Sequence, residues 1–195
     1  RSRASEQRRE REQQGACAKT VQEWKASGCS QSVSSQADTT ARPKPMLTLS
    51  AVAGFPFTVL KEKGRGAARV LRYDLPDGPV VLKEWSPQGR LLGWWARTIM
   101  RREIRHYRLL DGTPGVPRYR GHEGASALFI EWVDGQPIHR HLPSELLRKG
   151  LDGLDHTLDA LHDRRFVHLD VHQKLNALID ADGRAWVIDL GQGGD

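Results

Sequence analysis

Cysteine is nearly absent from this chain, with only Cys17 and Cys29 among 195 residues. Both lie in a segment poor in core-forming residues, which excludes a disulfide framework and a four-ligand zinc site. Long apolar runs are absent too: none approaches the roughly 20 residues of a membrane-spanning helix, and none near the start resembles a secretory signal. We therefore expect a cytoplasmic protein without a transmembrane segment, although peripheral membrane contact stays open.

The basic excess is unevenly distributed along the chain. The net charge is +6, and residues 1–50 hold nine Lys/Arg against five Asp/Glu. Most of the excess thus precedes the part that can form a core, which argues against a basic groove built by the fold. We do not expect a nucleic-acid partner. It stays as a third hypothesis, which would use this tail and the arginine face of a helix.

The composition changes close to Met46. Residues 1–45 are rich in Ser, Gln, Arg and Glu, with too few large apolar side chains to offset the entropy of ordering, so we predict a disordered basic tail. The first residue is Arg, which raises the hypothesis that these residues lie upstream of a natural start at Met46; a genuine flexible tail is the alternative. Residues 46–195 are predicted to form one domain.

Apolar periodicity and turn residues predict an α+β fold. The order is three strands, a helix, a strand, a second helix and a β-hairpin. The predicted strands are Phe57 to Leu60, Ala68 to Tyr73, Pro79 to Trp85 and Ala127 to Val133; the helices are Trp94 to Leu110 and Ser144 to His162; the hairpin pairs Asn176–Ile179 with Arg184–Ile188 around an Asp/Gly turn.

One carboxylate falls on the wrong face of the first helix. At 100° per residue, Glu103 lies within the apolar arc, whereas Arg97, Arg101, Arg105 and Arg108 gather on the opposite side. A core-facing carboxylate needs a cationic partner. Lys83, inside the apolar third strand, breaks its own pattern in the same way, so we predict a Lys83–Glu103 ion pair. Solvent exposure of both side chains at an edge is the alternative.

Oxygen-bearing side chains gather at one end of the predicted hairpin. Asn176 starts its first strand and Asp189 follows its second, so antiparallel pairing brings them to the same end. Asp170 enters this end through a short loop, with His168 expected to brace that loop rather than to react. Amide and carboxylate oxygens suit magnesium, so Asn176 and Asp189 are the predicted metal ligands. Capping of turns is the alternative for each residue alone.

These residues, in this order, resemble the signature set of the protein-kinase-like superfamily over roughly residues 57 to 195. Small bacterial lipopolysaccharide-kinase-like and regulatory-kinase-like proteins, which are atypical serine/threonine kinases, look closest. The matching segments are Gly64-Arg-Gly66-Ala-Ala-Arg69-Val70 for the glycine-rich loop, Lys83 for the strand lysine, Glu103 for its helix partner, Glu131-Trp-Val133 for the hinge, His168-Leu-Asp170 with Asn176 for the catalytic loop, and Asp189-Leu-Gly191 for the metal-binding triplet.

The resemblance implies a protein-kinase-like fold: a small β-rich N-lobe with one helix at about 55–130, a hinge at about 131–135, and a truncated helical C-lobe at 136–195 that carries the catalytic hairpin. It implies ATP and Mg²⁺ as cofactors and a hydroxyl of a protein Ser/Thr or a lipopolysaccharide sugar as acceptor. Gly64, Gly66, Val70, Lys83, Glu131 and Val133 would bind the nucleotide; Asp170 would act as the catalytic base, and His172 or Lys174 would neutralise charge on the γ phosphate.

The sequence departs from the family pattern in several places. Arg69 replaces the third glycine of the loop, Leu169 replaces the usual Arg of the catalytic loop, and the spacing from Asp170 to Asn176 is one residue longer than is typical. Leu169 removes the cation that reads a phosphorylated activation loop, so we expect no such control. Because little of the expected C-lobe follows Asp189, a pseudokinase or kinase remnant that binds nucleotide or partners is the second hypothesis.

Overall fold

Three α-helices, eight strands and one 3-10 turn make up the part of the chain that the computed structural model describes, residues 45–62, 68–85, 90–171 and 176–193. The predicted tail and the predictions for Gly64, Gly66, His172 and Lys174 lie outside these residues. The helices are α1 Leu49–Val52, α2 Arg90–Leu109 and α3 Ser144–Asp163, and the 3-10 turn is Leu190–Gln192. The strands are β1 Phe57–Lys61, β2 Arg69–Leu75, β3 Gly78–Glu84, β4 Tyr119–Glu123, β5 Ala127–Glu131, β6 Gly135–Pro137, β7 Ala177–Asp180 and β8 Ala185–Val187.

The predicted α+β class is confirmed, with β1 to β5 in one antiparallel sheet of order β1-β2-β3-β5-β4. The meander expected from the first three strands is present, and β5 pairs with β3. Strand β4 was not predicted, because its sequence, Tyr119-Arg-Gly-His-Glu123, has no alternation of apolar and polar residues. Pairing with β5 across a tight turn forms it, so tertiary context overrides a weak local preference.

The sheet is covered on both faces. Because side chains alternate along a strand, β3 turns Val81 and Lys83 to one face and Val80 and Leu82 to the other. The first face packs on α2 through a core that includes Val81, Met100, Ile104, Tyr107, Leu128 and Ile130. The second packs on the segment around α1 through Leu47, Val52, Leu71, Val80, Leu82 and Phe129. Lys83 therefore leaves the sheet on the side of α2.

Helix α2 begins at Arg90, four residues before the predicted start, and ends at Leu109. Its buried positions follow the predicted arc: Ala96, Met100, Glu103, Ile104 and Tyr107 are buried, and Leu110 follows them into the core. The four arginines of the opposite arc are exposed. The helical periodicity thus predicts correctly which side chains of α2 turn inward, including the acidic one.

The second half of the described chain pairs α3 with a small antiparallel sheet of order β6-β7-β8. The hairpin β7–β8 is the predicted one, whereas the three-residue β6 was not predicted. The leucines of α3 recur at helical spacing, at positions 147, 151, 154, 158 and 161, which predicts one buried stripe. This is only partly correct, because Leu161 is fully buried but Leu151 is 51% exposed. Gly150 and Gly153 face the hairpin instead, since a Cβ at either would approach Ile179 or Ala185 to about 3 Å. Neither α2 nor α3 is long and apolar enough to cross a bilayer.

Candidate active site

The predicted ion pair between Lys83 and Glu103 is present. The Lys83 amine donates a short hydrogen bond to the Glu103 carboxylate, and both side chains are nearly inaccessible, with 13% and 6% of their surface exposed. Strand β3 supplies the amine and α2 supplies the acid, so the pair ties the sheet to the helix. A charged pair this deep in the protein depends on close geometry, because each group has lost its hydration.

A second carboxylate approaches the same amine. Asp189 Oδ1 lies 3.4 Å from Lys83 Nζ, and unlike Glu103 its side chain is about half exposed, at 51%. Burial lowers the pKa of the Lys83 amine, but the negative charges of Glu103 and Asp189 raise it by more, and the pKa ends well above its ordinary value. Lys83 is therefore a permanent cation with one buried acidic partner and one at the solvent boundary.

Asp189 has a backbone conformation that is rare for residues other than glycine. Its φ and ψ are 61° and 62°, in the left-handed region. Aspartate tolerates this region better than most residues, but the conformation persists only when the surroundings impose it. Strain held at a half-exposed carboxylate beside a buried cation is typical of a functional position.

Helix α2 imposes that conformation through the residues after Asp189. The buried His106 ring bonds the carbonyl oxygen of Leu190 through Nδ1, at 2.7 Å. One turn earlier, the Arg102 guanidinium donates to the carbonyl oxygen of Gly193. The turn Leu190–Gln192 is thus held at both ends by the helix that carries Glu103, so the position of Asp189 depends on the position of α2.

Gly193 fits this turn because it has no side chain. A Cβ there would lie 1.9 Å from the ring of Phe166, which is fully buried. The same ring contacts His106 edge to face, with centroids 4.9 Å apart. Phe166 therefore packs against both α2 and the turn after Asp189. It anchors to them the segment that leads to His168 and Asp170.

The loop match at His168 and Asp170 is braced as predicted. The His168 ring accepts the N–H of Asp170 at Nδ1 (3.2 Å), so Nε2 carries the proton and donates to the carbonyl oxygen of Ile188 (3.2 Å). The Asn176 amide donates to the carbonyl oxygen of Asp170 at 3.0 Å and reaches its carboxylate at 3.5 Å. Asp170 is thus oriented by both neighbours.

The hairpin brings Asn176 and Asp189 to the same end, as predicted, with Asp189 one residue beyond the pair formed by Asn176 and Ile188. Ile188, not Asp189, is opposite Asn176, because its N–H donates to the Asn176 carbonyl oxygen at 2.9 Å. The Asp189 carboxylate contacts Lys83, and the Asn176 amide contacts Asp170. Each strand end of the hairpin therefore contributes one polar contact at this end.

The oxygen atoms of Asn176 and Asp189 suit a magnesium ion whose other ligands are phosphate oxygens and water. Since the Asn176 amide nitrogen bonds Asp170, the carbonyl oxygen of this amide is left for a cation, and half of the Asp189 side chain faces solvent. Within the described ranges there is no group of three or more His, Cys, Asp or Glu that could hold a metal. Magnesium is commonly bound by one or two protein carboxylates together with phosphate oxygens and water, so two oxygen donors are compatible with it.

Of the residues matched to the hinge and to the nucleotide-covering valine, Val70 lies beside Lys83, and Glu131 ends the strand that pairs with β3. Val70, half-buried on β2, is directly opposite Lys83 in the β2–β3 register and packs on the core beneath α2. Strand β5 ends at Glu131, whose carboxylate accepts the N–H of Arg118 at 3.2 Å. Val133 is buried and lies in the short segment that connects β5 of the first sheet to β6 of the second.

Arg102, His106 and Tyr107 belong to the site and were not predicted as members of it. Tyr107 is fully buried, and burial raises the pKa of its hydroxyl. The charges of Lys83, Glu103 and Asp189 also affect this pKa, because the hydroxyl lies close to the ion pair. A signal for His106 existed, because at 100° per residue it lies about 20° from Ile99, at the edge of the apolar arc of α2. Nothing in the sequence pattern indicates that Arg102 reaches Gly193.

No protein-family model matches the chain, and no curated protein sequence matches it.

Proposed function

We propose that the chain is an ATP-dependent phosphotransferase with a protein-kinase-like fold, which moves the γ-phosphoryl group of ATP to a hydroxyl acceptor. The observation that carries the proposal is the buried Lys83–Glu103 pair with the Asp189 carboxylate 3.4 Å from the same amine. A buried cation held by one acid and flanked by an exposed one suits a polyphosphate that arrives with a divalent cation. Since ATP is a cytoplasmic metabolite, the proposed activity belongs to that compartment.

Lys83 would bind the α and β phosphates of ATP. Glu103 holds the amine in place and keeps it charged. Because only 6% of the Glu103 side chain is exposed, this carboxylate does not occupy the solvent-facing side of the amine, where a phosphate would bind. Val70 and the segment Glu131 to Val133 would contact the nucleoside, a role that follows from their resemblance to the family. Positioning of this kind supplies much of the catalysis of phosphoryl transfer, which needs no covalent step by the protein.

Asp189 and the carbonyl oxygen of the Asn176 side chain would hold Mg²⁺. When bound, the ion neutralises charge on the β and γ phosphate oxygens. The left-handed backbone of Asp189 and the bonds from α2 to its turn keep the carboxylate in position before substrate binds. Such preorganisation lowers the cost of assembling the site.

Asp170 would orient the acceptor hydroxyl and accept its proton. Its backbone N–H is held by His168 and its carbonyl oxygen by Asn176, so the carboxylate is supported from both sides. This base serves a protein Ser/Thr or a sugar hydroxyl equally well, because both present an alcohol of similar acidity. The acceptor is therefore proposed only as an alcohol, either on a protein or on lipopolysaccharide.

The test measures ADP formation by the full chain with ATP and Mg²⁺, with water or added alcohols as acceptor. Asp189→Asn and Asp170→Asn should each lower the rate by about 10²-fold or more. Asp182→Asn is the matched control: it removes an exposed carboxylate from the turn at the other end of the same hairpin and should leave the rate within about twofold.

Binding is measured in parallel, as the shift in melting temperature with ATP and Mg²⁺. Binding without turnover would reject the phosphotransferase and support a nucleotide-binding pseudokinase. Absence of both binding and turnover, or an equal loss in Asp182→Asn, would reject the proposed site itself.

A further inference from the structure

A groove with a basic wall lies on the outer side of α2, away from Glu103. Its cavity volume is about 480 Å³. One wall comes from α2 and consists of Arg101, Arg105 and Arg108 with Ile104 and Leu109; the other comes from the end of β4 at His122 and from the following turn at Gly124. The arginines recur at i, i+4 and i+7, so they share one side of the helix over roughly 10 Å.

No carboxylate is among the residues that line this groove. The three nearest in sequence have other partners. Glu103 pairs with Lys83, Asp111 accepts the N–H of Tyr119 at 3.1 Å, and Glu123 accepts the N–H of Leu49 at 2.9 Å. In the part of the chain that the structure describes, Arg101 and Arg108 have no ion-pair partner. Like charges on one side of a helix repel each other, and an anion in the groove would relieve the repulsion between Arg101 and Arg108.

The remaining lining residues indicate what else the anion carries. The Tyr119 hydroxyl and His122 Nδ1 share a hydrogen bond, so when the hydroxyl donates, the neutral ring keeps its proton on Nε2 as a further donor. Two apolar side chains also line the groove, Leu109, which is 46% exposed, and Ile104, which is buried. The groove therefore offers charged donors together with apolar contacts, which suits an anionic group on an apolar or ring-bearing body.

We propose that this groove binds a phosphomonoester group. A phosphomonoester has close to two negative charges and three acceptor oxygens, which match several guanidinium groups better than a carboxylate does. A nucleic-acid backbone is less favoured, because Arg97, one turn before Arg101 on the same arginine side of α2, does not line the groove. The site is separate from the ATP site and does not depend on phosphotransfer.

The probes are inorganic phosphate, phenyl phosphate and a phosphoserine peptide with its unphosphorylated form, each titrated into the full chain at constant ionic strength. NMR signals of the Gly124 amide and the His122 ring report on the groove itself, so binding in the ATP site is distinguished from binding here. We expect saturable shifts of both signals with phosphate. Phenyl phosphate should bind more tightly than inorganic phosphate because its ring can contact the apolar lining residues Ile104 and Leu109.

The test variant is Arg101→Gln/Arg108→Gln, and the matched control is Arg97→Gln on the same helix. Loss of two charged hydrogen-bond donors should weaken phenyl phosphate binding about tenfold or more, while the control should stay within about twofold. Helix content and melting temperature are compared first, since all three side chains are exposed and Gln keeps the helix propensity.

Tighter binding of the phosphoserine peptide than of phenyl phosphate would assign the ligand to a phosphorylated protein, and the reverse would assign it to a small phosphate ester; both support the site. The proposal is overturned if no saturable shift occurs, if Arg97→Gln weakens binding as much as the double variant, or if a short RNA binds while phenyl phosphate does not compete. None of these results depends on ATP turnover.

Discussion

Removal of Lys83 should destabilise the fold more than removal of Glu103, although the two form one ion pair. Without Lys83, the Glu103 carboxylate is left 6% exposed with no cation beside it; without Glu103, the Lys83 amine keeps Asp189 at 3.4 Å. Breaking a buried pair so that a charge is left alone costs roughly 3–5 kcal/mol, which we expect for Lys83→Met. Glu103→Gln keeps the volume and an acceptor oxygen, so about 1–2 kcal/mol is expected.

The double variant Lys83→Met/Glu103→Leu should be nearly as stable as the parent chain. It leaves no buried charge unpaired, since Asp189, which loses Lys83, is half exposed, and apolar replacements of buried ion pairs are often neutral in stability. A double-mutant cycle then reports a large coupling energy, because the two single losses do not add.

The cost of Lys83→Met should also depend on pH. Burial raises the pKa of Glu103, Lys83 lowers it and Asp189 raises it, and the net value lies above the ordinary one. Loss of Lys83 removes the lowering influence, so the folded state binds the Glu103 proton more tightly than the unfolded state does. The stability of Lys83→Met should therefore increase as the pH falls from about 8 to about 5, relative to the double variant.

Guanidinium unfolding followed by tryptophan fluorescence provides the measurement, with midpoints compared at equal m-values. A domain of this size has roughly 5–15 kcal/mol of stability, so the single variants should remain folded enough to analyse. The reasoning is refuted if Glu103→Gln costs as much as Lys83→Met near pH 7, or if the pH has no effect on the difference between Lys83→Met and the double variant.

Two further predictions concern stability away from the ion pair. Arg165, the second residue after α3, has φ at 57° in the left-handed region, so Arg165→Gly should raise stability by about 0.5–1 kcal/mol in chemical denaturation. Arg164→Gly, at φ −87°, should lower stability, and a loss in both variants would contradict the argument. Tyr73, Tyr107 and Tyr119 are the three tyrosines of the chain, and burial raises the pKa of each. Phenolate absorbance of the folded chain should thus rise only above the unfolded midpoint of about pH 10, and stability should fall as pH rises through that value. A folded-state titration that coincides with the unfolded one would refute this.

Several features of the site follow from local patterns in the sequence. The 3.6-residue period of α2 is enough to place Glu103 on the buried side, and the two-residue period of β3 places Lys83 among apolar neighbours. Because a buried charge needs a partner, their pairing is predictable before any fold is known. The hairpin is predictable for a similar reason, since the turn between Asp180 and Gly183 is local chemistry.

Other features depend on contacts between segments far apart in the chain. Strand β4 exists because β5 pairs with it, and Leu151 is exposed because Gly150 and Gly153 bring the other side of α3 against the hairpin. The approach of Asp189 to Lys83 likewise depends on how the hairpin packs against β3 and α2, which no local pattern gives.

By itself the sequence determines the class of fold, the buried charges and the order of the polar residues in the proposed site, because each depends on local periodicity and on the cost of burying a charge. Only the tertiary structure decides that α2 holds the turn after Asp189 through Arg102 and His106, and that its outer face forms a basic groove with β4. Those contacts join residues tens of positions apart, and their partners are backbone carbonyl groups and a strand end. Every residue has a carbonyl group, so nothing in the sequence marks which one a distant side chain will reach.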